Sequence, residues 1–382
     1  MSGHGSRGRR GRSVELNPFP PGARWAVVAL AVVVVIGACS APNDNARTGQ
    51  AADHPAGDSG SSLRVLEGNI DENGPGCSAA VGIQGDVAWA GNLGIANLTS
   101  GTLIGPQTVF DIASVSKQFT ATAILLLVQE GKLTLENPLS DYVAGLPPWA
   151  GAVTVGQLMH QTSGIPDYGD LLAAAGYQES DRTTQGQAIQ ELAGAPMLEF
   201  RPGARFEYSN SNYVLLAEIV HRVSGEPLPQ FLGEEIFQPL GLTMVMDPVG
   251  MLPNKAVSYE KGASGYEVAD SGWEQVGDGA IQTTPSQLVR WADNYRTGKL
   301  GGPKLIHAQL AGAVDTEPGS DARYGAGIDL LADGTLAHDG SWAGFIATFR
   351  ISKDRRTSLA ISCNSTEHDI AAMADALWQL WT

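Results

Sequence analysis

Positive charge is what this chain has least of. Its 24 lysines and arginines face 40 aspartates and glutamates, for a formal charge of −16. Five arginines, Arg7, Arg9, Arg10, Arg12 and Arg24, stand against one glutamate in the first 38 residues, which leaves about −20 for the rest. Without a basic face to neutralise phosphates, nucleic acid is argued against as a partner. Cysteine is nearly absent: Cys39, Cys77 and Cys363 are the only three. No Cys-x-x-Cys, Gly-x-Ser-x-Gly elbow, His-Glu-x-x-His or phosphate-binding glycine loop occurs, so the common signatures of redox, elbow-hydrolase, zinc and nucleotide chemistry are missing. Nothing calls for a metal or other cofactor. Heptads and internal repeats are also missing, which leaves an assembling scaffold without support.

Long apolar runs are scarce as well. The main one, residues 25–38, has 14 residues, short of the roughly 20 that a spanning helix needs. Behind its arginines it fits the apolar region of a signal peptide covering 1–38. The run ends Ile36-Gly37-Ala38-Cys39, which resembles a lipobox, so Cys39 is the expected lipidation site and the membrane an expected partner through that anchor. Residues 39–62 have almost no large apolar side chains and read as a flexible linker. The domain proper is expected at 63–382, on the outer face of the cytoplasmic membrane. Export would permit a disulfide between Cys77 and Cys363, although two free buried thiols satisfy the sequence as well.

What is present is ordinary globular material, 43% apolar and 17% charged. Residues 77–84 and 86–94 read as a hairpin around Gly85. Runs at 324–331, 335–339, 344–352 and 357–364 again have a period of two. Between them, about 133–300 is mainly helical, with clearer pieces at 154–160, 183–193, 212–223, 228–236 and 285–297. Residues 368–381 close the chain with an amphipathic helix, in which Trp378 and Trp381 are packing residues. Strands at both ends imply an α+β fold: one antiparallel sheet drawn from both termini, flanked by helices, with an inserted mainly helical region.

The chemistry centres on residues 106–131. Ala113, Lys117, Thr120, Ala121, Ile124, Leu125 and Val128 recur at helical spacing, and Gly131 supplies a stop. The helix opens near Ser114 and places Lys117 one turn later on the same side. A hydroxyl beside an amine in an apolar helix suits nucleophilic catalysis, because desolvation favours the neutral amine that can take the hydroxyl proton. With seven lysines and 27 serines, about half a Ser-x-x-Lys is expected by chance. A second does occur, Ser258-Tyr259-Glu260-Lys261, but glycines surround it and it reads as loop. Two more motifs follow. Tyr208-Ser209-Asn210 comes after a Pro-Gly turn, where Asn210 could also cap the next helix. His338-Asp339-Gly340 is expected at the end of a strand.

These motifs in this order resemble the serine β-lactamase and penicillin-binding superfamily, in particular its class C-like branch. Leu158-Met159-His160-Gln161-Thr162-Ser163-Gly164, Gly277-Asp278-Gly279 and Gly344-Phe345 add to the resemblance, while Gln287 and Ser258 depart from it. The resemblance implies a β-lactamase/transpeptidase-like fold with catalytic Ser114, Lys117 and Tyr208. In it Ser114 is the nucleophile that forms an acyl-enzyme, Lys117 a base or proton relay, and Tyr208 a second base with an acidified phenol. Asn210, His338, Gly340 and Ser341 would be substrate-binding: Asn210 holds Lys117 and a substrate amide, His338 steers a substrate carboxylate or bridges to Tyr208, and the backbone N–H groups of Ser114 and Ser341 form an oxyanion hole. The implied function is a serine hydrolase on an amide or ester, like a D,D-peptidase, esterase or β-lactamase. Its partner is a small-molecule or peptide substrate, with the peptidoglycan stem peptide as one candidate. His338 in place of a lysine weighs against efficient β-lactamase activity. The alternative is a catalytically weak, cell-wall-binding lipoprotein that retains the fold.

Overall fold

The computed structural model describes residues 57–382. The expected signal peptide, Cys39 and the linker as far as residue 56 lie outside the described residues. Among those described, no helix is long and apolar enough to cross a membrane.

An eight-stranded antiparallel sheet forms the spine. Its spatial order is Val314–Asp315, Arg323–Tyr324, Asp329–Leu330, Leu336–Trp342, Phe345–Ile351, Thr357–Cys363, Cys77–Ile83 and Asp86–Leu93. The first long strand therefore pairs with the last, from Cys77 opposite Cys363 to Ile83 opposite Thr357. Side chains alternate between two apolar layers. Cys77, Ala79, Val81, Leu359 and Ile361 join Leu66, Met373 and Leu377 on one side. Ala80, Ala360, Ala347 and Phe349 join Phe119, Val289 and Trp291 on the other. Burial on both faces explains why Thr357–Cys363 is apolar or small throughout rather than alternating with charge.

The outer layer consists of Ser59–Glu67 and Ile370–Trp381, joined where Trp381 Nε1 donates to Ser62 Oγ at 2.9 Å. The first of these helices starts inside the stretch expected to be linker. The Asp58 side chain caps it by accepting from Gly60 N at 2.9 Å, and Leu66 anchors it in the core. Small residues in its first turn hide this helix from a periodicity reading.

The region 133–300 carries Val155–Met159, Tyr168–Ala174, Gln185–Gly194, Asn210–Ser224, Leu228–Leu232 and Pro285–Thr297 as helices. It also holds strands that were not expected. Val245–Met246 and Ile281–Thr283 join Phe110–Asp111 in a small sheet. Tyr259–Gly262 pairs with Gly265–Val268, so most of the second Ser-x-x-Lys lies in a hairpin, not a loop. That hairpin is mostly solvated, and without an apolar face it shows no period.

Leu336–Trp342 is longer than expected and turns into Phe345–Ile351 through Ala343 and Gly344, at φ 43° and 78°. Positive φ at both central residues belongs to the tight turns that match strand twist. His338, Gly340 and Ser341 therefore lie within the strand, not at its end.

Cys77 and Cys363 form a disulfide across 286 residues, which settles the choice the sequence left open. Both are fully buried. Replacing both by alanine should lower unfolding free energy by about 2–5 kcal/mol through the freed unfolded chain. Thermal and urea melts of the variant test this, and unchanged melts would show that the staple contributes nothing.

Candidate active site

The helix expected at 114–130 comes in two parts, a 3₁₀ turn at Ala113–Ser116 and the α-helix Lys117–Gln129. Ala113 adopts φ 45°, which swings the chain so that Ser114 stands at the open end of the helix. That strained turn is held on several sides. Ala113 N donates to Asp111 Oδ1 at 2.7 Å, and Gln282 Nε2 donates to Asp111 Oδ2 at 2.7 Å. Ile112 N donates to the Ile281 carbonyl at 3.0 Å, and Ile281 N to Ser116 Oγ at 3.2 Å. Burial pushes the Asp111 carboxyl above its ordinary range.

Lys117 is fully buried. Its Nζ is 2.9 Å from Ser114 Oγ, 2.9 Å from Asn210 Oδ1 and 2.7 Å from the Asp278 carbonyl. An ammonium would donate to all three. A neutral amine would donate to Asn210 and Asp278 and turn its lone pair on the Ser114 hydroxyl. Burial lowers its pKa to about 8, against the opposing pull of the Asp278 and Asp167 carboxylates.

Tyr208 joins this group from the turn before Asn210–Ser224. Lys117 Nζ is 4.9 Å from its ring centroid, and the phenol interacts with the Ser114 side chain. The residue as a whole is 40% exposed. The strand Leu336–Trp342 forms the opposite wall. A Cβ on Gly340 would fall 2.4 Å from the Ile112 carbonyl and 2.9 Å from Ser114 N, so only glycine lets this strand lie against the amide of the serine. Ser341 follows directly.

The beta-lactamase family profile matches residues 63–380. The chain belongs to the beta-lactamase family. It is 29% identical over 280 residues to the D-aminopeptidase of Brucella anthropi, across 71% of this chain but only 52% of that protein. It thus spans about half the length of such curated relatives. Among solved structures, the penicillin-binding protein of Bacillus halodurans is 25% identical with a TM-score of 0.74, covering 84% of this chain and 98% of that one. The octameric penicillin-binding protein homologue of Pyrococcus abyssi is 26% identical with a TM-score of 0.70, covering 80% and 73%. These likenesses agree with the expected superfamily and with the α+β fold.

Two expected properties are corrected by the geometry of this beta-lactamase family member. The Tyr208 phenol is not acidified. Burial holds it well above its ordinary value, and the interaction with the Ser114 side chain only partly opposes that. His338 is not a cation. It is buried, its Nδ1 lies 2.6 Å from the Asp339 carbonyl, and its Nε2 lies 3.2 Å from the Tyr324 hydroxyl. A carbonyl accepts only, so Nδ1 carries the proton and Nε2 accepts from Tyr324. Burial, aided by the Lys117 charge, depresses its pKa to about 3. Its ring lies 6.4 Å from that of Tyr208, with Tyr324 packed against both. Asn210 is not a side-chain cap either: Ser209 occupies the cap position, and the Asn210 oxygen is taken by Lys117.

Several residues that position the site were not singled out by sequence. Asp167 Oδ2 accepts from Asn210 N at 2.6 Å. Asp278 supplies a carbonyl to Lys117, while Tyr168 donates to its carboxylate at 3.0 Å. Gln161, at φ 58°, brackets Tyr208: its carbonyl accepts from Glu207 N at 2.9 Å and its Oε1 from Ser209 N at 3.1 Å. The segments 158–164 and 277–279 stood out as family-like, but single letters cannot reveal a carbonyl or a bracketing amide.

Gly340→Ala should force the strand away from the Ser114 turn and cost about 1–3 kcal/mol in overpacking. A melt indistinguishable from the parent protein would show that the close approach is not needed.

Proposed function

We propose that this chain is a serine hydrolase that cleaves an amide or ester through an acyl-enzyme on Ser114. The observation that carries the reading is the buried Lys117 amine held 2.9 Å from the Ser114 hydroxyl with its pKa near 8. Ser114 Oγ would attack the carbonyl carbon as its proton passes to the Lys117 amine. The oxyanion would be held by the N–H groups of Ser114 and Ser341, each such donor typically being worth about 3 kcal/mol in the transition state. Tyr208 keeps its proton at neutral pH, so its phenol is fitted to protonate the leaving group and to recover a proton from the Lys117 ammonium. Water then cleaves the acyl-enzyme with the same groups in reverse.

Likeness to a D-aminopeptidase supports an amide of an N-terminal D-amino acid as the substrate class. A neutral His338 argues against β-lactamase action, because it leaves that position without a charge for a drug's carboxylate. The cell-wall stem peptide stays a candidate through its D-residues. The site is proposed to face the outside of the cytoplasmic membrane on a Cys39 anchor. The buried disulfide supports an oxidising compartment, and the sequence of residues 1–39 supports the anchor. The reading as a binding protein without turnover has less to support it, since binding alone does not need a desolvated amine on a hydroxyl.

Ser114→Ala should abolish labelling by a fluorophosphonate probe and the burst of p-nitrophenol from an activated ester; labelling that survives would overturn the proposal. The pH profile gives a second test. The amine is the base only when neutral, so with an activated ester that carries no amino group kcat/KM should rise about tenfold per pH unit below about 8 and level off above it. A rate that falls as pH climbs through that range would remove Lys117 as the base.

A further inference from the structure

Beside the catalytic group lies a small open cavity of about 90 Å³, room for one functional group rather than for a whole ligand. Its walls include Asp167, Asp170, Glu199, Glu207, Tyr208 and Ser209. Four carboxylates thus surround one small space. Two cations adjoin them: Arg205 meets Glu207 at 2.7 Å, and the Lys117 charge acts on Asp167. The crowding has consequences for Glu199, whose pKa is raised to about 7 by desolvation and then by the hydrogen bond and like charge of Glu207. A further sign comes from Ser209. It is 5% exposed, it lines the cavity, and its Oγ has no hydrogen-bond partner among the described residues. A buried hydroxyl left unmatched beside a group of carboxylates is what a missing multi-donor cation would leave behind.

We propose that this cavity is a subsite for a primary ammonium, and that the group it takes is the free α-ammonium of the residue acylating Ser114. The placement rests on the acyl-enzyme reading above. An ammonium has three donors and no acceptor, so it can reach two carboxylate oxygens and a hydroxyl together. A planar guanidinium would match a paired carboxylate fork better than this mixed set. No cluster of three or more His, Cys, Asp or Glu side chains able to hold a metal occurs among the described residues, which argues against an inorganic ion. Tyr208 links the two places: it lines the cavity, and its phenol interacts with the Ser114 side chain. A cation in the cavity therefore adjoins the substrate bound at Ser114, and the α-ammonium is the cationic group nearest the scissile carbonyl of an N-terminal residue. N-acylated substrates would have their amide where the carboxylates expect charge.

The test uses full-length Ser114→Ala protein, in which binding is read without turnover. Calorimetric titrations are made near pH 7, below the ordinary α-amine pKa of about 8. The probes are D-alanine p-nitroanilide, its N-acetyl derivative, and N-acetyl-D-lysine p-nitroanilide, whose only ammonium is on the side chain. The free α-amine should bind roughly tenfold or more tightly than the acetylated alanine probe, as expected for a charge-assisted contact. That ratio should fall to near one when Glu199→Gln and Asp170→Asn are added. Should the double variant lose its cooperative melt, Asp170→Asn alone should still cut the ratio about threefold. Equal affinity for the two alanine probes, a ratio untouched by the substitutions, or tightest binding by the lysine probe would each overturn the subsite. Failure of the hydrolase reading looks different: the unsubstituted enzyme would give no ester burst while the amine preference stayed intact.

Discussion

The structure depends on one buried amine. Taking the Lys117 ammonium out of water is costly unless its hydrogens are matched and counter-charge is near. Its three partners come from three separated stretches: the 3₁₀ turn at Ser114, the first turn of Asn210–Ser224, and the loop at Asp278. The amine thus ties together parts of the chain up to 161 residues apart. Asp278 and Asp167 pull its pKa up while burial pulls it down, and the balance falls near 8. The same balance that makes burial tolerable leaves the amine close to neutrality at physiological pH.

Holding those stretches in place requires backbone that isolated residues avoid. Ala113, Gln161, Ala280 and Ala343 all have positive φ without being glycine, and each borders a wall of the site. Such conformations persist only where the surroundings over-determine them. Here the small sheet of Phe110–Asp111 and Ile281–Thr283 fixes Ala113 and Ala280, and the strand pair on either side of Ala343 fixes the opposite wall. The sheet drawn from both chain ends gives those strands a rigid, doubly covered base. The Cys77–Cys363 link sits two strands from the site, where it closes the sheet without entering the chemistry.

Much of this was legible in residue order. The apolar spacing behind Ser114 and the return of a two-residue period after residue 320 mark the helix and the sheet, and Ser114, Lys117, Tyr208 and Asn210 do converge. What stayed hidden shares a physical cause. The hairpin at Tyr259–Val268 and the helix at Ser59–Glu67 show no clear apolar stripe in sequence. The contributions of Asp278 and Gln161 run partly through backbone atoms, which every residue possesses. The states of Tyr208 and His338 depend on enclosure by Tyr324 and the neighbouring strand, and the sequence offered an acidic phenol and a cationic imidazole instead.

A neutral His338 sets the electrostatic character of the cleft. The Asp339 carbonyl fixes the tautomer and Tyr324 fills the remaining nitrogen, so the ring sits neutral between two phenols. A protonated imidazole there would stand near the Lys117 ammonium, and the repulsion between them helps depress its pKa. The two positions therefore cannot both carry charge cheaply, and burial leaves the charge with the amine, whose pKa is near 8 against about 3 for the ring. Around Ser114 the positive charge is then on the buried amine, while carboxylates line the cavity beside Tyr208, one of them, Glu207, paired with Arg205. A field of that sign repels an anionic substrate tail approaching along the cavity and favours a cationic one. Substrate preference would in that case follow from which residues are desolvated, not from any added binding module.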